Sequence, residues 1–62
     1  MNIINDIKGF LIGIHMNDIT SYQEDIKILS KNNNELSQPI IDYINIKIRE
    51  KLDRIKTINE FK

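Results

Sequence analysis

Along the second half of the chain, Ile40, Ile41, Ile44, Ile48, Leu52, Ile55 and Ile58 return at steps of three and four after an initial adjacent pair. That period is the one an α-helix needs to gather apolar side chains on one face, whereas a half-buried strand would alternate. The spacing predicts a helix over about residues 38–61, roughly 35 Å long at 1.5 Å per residue. Ser37 offers a cap for its start, and Pro39 falls in the first turn, where a missing amide hydrogen costs nothing.

Composition bears on how far that period can be trusted. Fifteen of the 62 residues are isoleucine, while alanine, valine and tryptophan are absent and asparagine and lysine are abundant. The bias suggests an AT-rich coding sequence, in which isoleucine stands in for other aliphatic residues. Its β-branched preference for strands is therefore discounted in favour of spacing.

In the first half, Ile3, Ile4, Ile7, Phe10, Leu11 and Ile14 fall within about 120° of a helix circumference and predict a helix over about residues 2–16. Gly9 and Gly13 weaken it, and residues 9–16 read alternatively as a short buried strand. The next apolar set, Ile19, Tyr22, Ile26 and Leu29, is rotated by roughly 80° from the first. Thr20 to Gln23 and Ser21 to Glu24 both fit a capping box, so a break near residues 17–20 and a second helix over 21–31 are favoured over one bent helix. Asn32, Asn33 and Asn34 open a turn over 32–37, because asparagine tolerates left-handed backbone and bonds its own main chain. The fold expected is all-α: one domain, residues 1–62, built as a helical hairpin or a small three-helix arrangement. Its expected core joins Ile41, Ile44, Ile48, Leu52 and Ile55 to Ile3, Ile7, Phe10, Leu11 and Ile14.

A chain of this length buries only about 60% of the surface it exposes when unfolded, and the absence of cysteine excludes disulfides and cysteine-based zinc sites. Self-association is the simplest further source of stability, so dimerisation into a helical bundle is expected. Nine basic residues balance nine acidic ones, which removes any overall pull toward nucleic acid or acidic membranes. Asp6 and Lys8 interrupt the apolar core a secretory signal needs, and no apolar run of 18 residues occurs, so a cytoplasmic, non-membrane protein is expected.

Catalysis is not expected. His15 is the sole histidine, sits beside Leu11 at the edge of the first stripe and reads as an ordinary half-buried residue. The nine acids are scattered without a metal-ligand spacing, so neither catalytic nor metal residues nor a cofactor are assigned. Ser37-Gln38 opens as does the Ser-Gln-Glu-Leu-Asp signature of the helical-hairpin aspartyl-phosphate phosphatases. Pro39, Ile40 and Ile41 then depart from it and Asp42 stands one place late, so that activity is not carried over. Gly9 and Gly13 match the small-xxx-small pattern of close helix crossings, for which surface tolerance is the simpler reading.

Binding is the better prospect. Tyr43, Ile46 and Phe61 point away from the main stripe of the last helix, and Ile12 and Met16 repeat the pattern on the first. A helix with two apolar faces lies between neighbours, so these five residues are the expected protein interface, with packing in a three-helix core as the alternative. Ile48→Asp is expected to unfold the chain and Ile46→Asp to weaken association alone. Residues 47–62 also carry a local charge of +3 against −3 over residues 1–46, and Lys47, Lys51 and Arg54 are the candidate phosphate contacts. Against that, Arg49 with Asp53, Glu50 with Arg54 and Lys56 with Glu60 stand at i,i+4, where opposite charges pair on a solvated face. The function expected is that of a small non-enzymatic protein-binding regulator or adaptor acting as a homodimer. Alternatives are a nucleic-acid-binding bundle, or an inhibitor of a host protein encoded by a phage or plasmid.

Overall fold

A computed structural model describes residues 3–32 and 34–61. Two helices, α1 (Ile3–Lys31) and α2 (Ser37–Glu60), pack against each other as an antiparallel hairpin, as the spacing of the second half requires. The hairpin is a rod of 51 × 15 × 8 Å. Its radius of gyration of 14.8 Å exceeds the roughly 11 Å of a compact domain of this length.

The first helix is continuous, and the break expected near residues 17–20 is absent. Thr20, the candidate cap of a new helix, donates its hydroxyl to the Met16 carbonyl at 3.1 Å, four residues back within the same helix. Residues 9–16 are likewise helical, not a strand. What looked like a rotation of one stripe is two faces of one helix. Apart from Asp18, and from Lys47 on α2, which flank the seam, the more buried positions of α1 run Lys8, Ile12, His15, Ile19, Tyr22, Ile26 and Leu29, at steps of four and three. Those of α2 run Ser37, Ile41, Ile44, Ile48, Lys51, Ile55 and Ile58 in the same alternation. This is the 3.5-residue period of a coiled-coil seam.

The expected core is therefore corrected on the α1 side. Ile3, Ile7, Phe10, Leu11 and Ile14 lie outside the seam and are exposed, Ile3 to 70% and Phe10 to 68%. Lys8, Ile12 and His15 occupy the seam at their level, and two of those three are polar, so counting apolar residues picked out the wrong face. On α2, Leu52 is half exposed, and the seam position belongs to its neighbour Lys51. Among the described residues the buried aliphatic ones are Ile19 and Ile44, at 6% and 8% exposure.

The connection is held by side chains. Asn34 Oδ1 accepts the Leu36 amide at 2.8 Å, and the Ile28 carbonyl near the end of α1 accepts both the backbone amide and the Nδ2 of Asn32, each at 3.2 Å. No described residue has positive φ, so Asn32 and Asn34 serve the turn through their amides and not through left-handed backbone; Asn33 lies outside the described residues. Ser37 is not the cap, which is Leu36 with no side-chain bond. The Ser37 hydroxyl is buried, accepts the Asn34 amide at 3.1 Å and donates to the Asn32 carbonyl at 2.9 Å. One side chain thus closes the loop from inside.

Candidate functional site: the flank of the open end

At the end of the rod away from the loop, α1 is the longer partner, with 29 residues against 24. Lys8 Nζ donates to the carbonyls of Phe61 at 2.8 Å and Asn59 at 3.3 Å. A cation is thereby set on the unpaired acceptors at the C-terminus of α2, where the helix dipole favours positive charge. Phe61 itself leaves the helix with extended backbone, its amide donating to the Ile58 carbonyl at 3.2 Å.

The clasp leaves a groove beside it. Its volume is about 370 Å³, and Ile4, Ile7, Lys8, Leu11, Thr57, Ile58 and Phe61 line it. Ile4, Ile7, Leu11 and Phe61 are each more than a third exposed, and Ile3, Phe10 and Ile14 extend the same apolar surface round α1. Toward the loop this flank becomes charged. Lys51 Nζ reaches Asp18 at 2.9 Å across the seam, and Lys47 Nζ meets Glu50 at 3.5 Å while standing 5.4 Å from the centre of the Tyr43 ring. The Glu50 carboxylate, and then Tyr43, hold the Lys47 ammonium above its ordinary pKa by favouring its charged form.

Of the expected interface residues, Tyr43, Ile46, Phe61 and Met16 are exposed, whereas Ile12 is half-buried in the seam. Phe61 joins the groove; Ile46 stands apart beside Arg49, Glu50 and Asp53. Of the expected phosphate contacts, Lys47 and Lys51 are held by acids of the same chain, and Arg54 is exposed. The expected i,i+4 pairs of α2 are not among the ion pairs of the described residues. Ile7 and Leu11, expected in the core, line the groove instead, together with Ile4 of the same stripe. The signal that would have found them is the unbroken four-three series from Ile12 to Leu29, which extends back to Lys8 and leaves the isoleucines to one side.

His15 is half-buried in the seam, and its Nδ1 is buried without a hydrogen-bond partner. Gly9 and Gly13 face open space, where an added Cβ would meet no atom within 4 Å, so no close crossing within the hairpin uses them. Among the described residues no helix is long and apolar enough to cross a membrane, and no three His, Cys, Asp or Glu side chains gather as metal ligands. Comparison of the chain with protein-family models, with curated proteins and with solved structures finds no match.

Proposed function

We propose that the chain is a non-enzymatic protein-binding module, a regulator or adaptor in kind, that acts by burying the open-end flank of α1 against another protein chain. The observation that carries this reading is the exposure of Ile3, Ile4, Ile7, Phe10, Leu11 and Ile14 on one stretch of one helix. Scattered surface aliphatics are ordinary; a contiguous set on a rod with two buried aliphatic residues is the mark of a contact surface. Nucleic-acid binding through Lys47, Lys51 and Arg54 is less well supported, because Glu50 and Asp18 already engage the two lysines.

The test is a photo-crosslinking amino acid placed at Phe10 and, as a control, at the exposed Glu24, in cells expressing the full chain. Adducts with protein are expected from position 10 and not from position 24. Equal labelling from both positions, or none from position 10, overturns the reading.

A further inference from the structure

The accessible surface is 5179 Å², where a compact monomer of 7.3 kDa exposes about 4,200 Å². The surplus of about 1,000 Å² is comparable to the roughly 800 Å² that each partner contributes to a stable interface. The elongated hairpin thus exposes more than a compact chain by about the area that one further chain of ordinary interface size would cover.

Charge says which chain. With the seam fixed, the residues about 70° to one side of it on α1 recur every seventh position as Ile4, Leu11, Asp18 and Asp25. The equivalent row of α2, read from the open end toward the loop, is Phe61, Arg54, Lys47 and Ile40. Because the helices are antiparallel, both rows lie on the same side of the rod, the side marked by the groove that Ile4, Leu11 and Phe61 share. The Lys51 to Asp18 bridge fixes their levels along the rod. The row of α1 is therefore apolar then acidic, and the row of α2 is apolar at Phe61, basic at Arg54 and Lys47 near the levels of those acids, and apolar again at Ile40 beside the loop.

We propose that a second copy of this chain covers the flank, related by a two-fold axis parallel to the helices, so that α1 of each protomer lies on α2 of its partner. The proposal rests on the protein-binding reading above and names its occupant. In this arrangement Ile4 and Leu11 pack on the partner's Phe61, and Asp18 and Asp25 interleave with the partner's Arg54 and Lys47. The alternative axis, perpendicular to the rods, would lay α1 on α1, setting acids against isoleucines or overlapping only the open ends. The two-fold along the rods alone satisfies the apolar and the charged halves together.

The chain has no cysteine, so single substitutions report cleanly. Ser21 and Glu50, both exposed, stand on the outer edge of this side at nearly the same level and face each other only across the proposed interface. Ser21→Cys and Glu50→Cys are prepared separately, mixed, and treated with a short bis-maleimide, with light scattering run alongside. Expected are a dimeric mass, a melting temperature that rises with concentration, and crosslinked dimer in the mixture at several times the yield of Ser21→Cys alone. Ile7→Lys should raise the dimer dissociation constant roughly tenfold or more while helicity at high concentration persists. A monomeric mass at every concentration overturns the second copy, and adducts of the position-10 probe with a different protein would then leave the protein-binding reading standing. A dimer in which Ser21→Cys alone crosslinks as well as the mixture overturns the axis.

Discussion

The two ends of this rod are built from the same kind of helix and solve different problems. At the loop end, Ile19, Tyr22, Ile26 and Leu29 fill the seam of α1 opposite Ile41 and Ile44, and the buried Ser37 hydroxyl ties the connection from within. At the open end the seam of α1 contains Lys8, Ile12 and His15, and the other aliphatic residues of that stretch stand outside it. The loop end fills its seam with apolar residues while also exposing Ile28, Leu36 and Ile40, and the open end gathers Ile3, Ile4, Ile7, Phe10, Leu11 and Ile14 on the surface of one helix. A filled seam and an exposed apolar flank thus lie toward different ends of a 51 Å hairpin, and a substitution should report which of them it strikes.

The largest contrast is between Ile44→Asp and Ile7→Asp. Ile44 is 8% exposed, so the first change buries an unpaired carboxylate in a domain with few kcal/mol to spare, and circular dichroism should lose its helical signal. Ile7 lies on the flank, and the second change should leave the helical spectrum of the dilute chain in place. Unfolding by both would erase the distinction between the halves. A smaller effect sharpens it: His15→Leu removes a buried imidazole nitrogen without a partner and should stabilise the hairpin by about 1 kcal/mol in chemical denaturation. Smaller still, Gly13→Ala places a methyl in open space on a helix surface and should add about 0.5–1 kcal/mol. A loss of stability there would mean that the glycine face is covered after all.

Much of this was legible in the sequence, and the part that was not has a physical cause. The helix of α2, the turn at the asparagines and the hairpin itself follow from spacing and from residues with one backbone use. The face of α1 did not follow, because apolar density was taken as the sign of burial. Burial in a two-helix rod is set by the four-three register of the partner helix, which admits Lys8 and Lys51 by letting their stems pack while their ammonium groups reach a carbonyl or Asp18. The pairing of Asp18 with Lys51 joins residues 33 apart, a relation that no local pattern contains. The candidate interface was half legible: Phe61, Tyr43, Ile46 and Met16 are exposed as expected, while Ile7 and Leu11 of the groove were expected in the core.

The Lys8 clasp has a consequence for the order in which the hairpin forms. Its bonds to Asn59 and Phe61 span 51 and 53 residues, whereas the Ser37 contacts in the loop span three and five. Closing the short loop costs the least entropy, so pairing starts at the asparagines and runs toward the termini, and the clasp is fastened last. A bond fastened after the folding transition state is expected to slow opening and leave the rate of closing unchanged. The groove the clasp borders is the last surface of the chain to take shape during folding and the first to lose it.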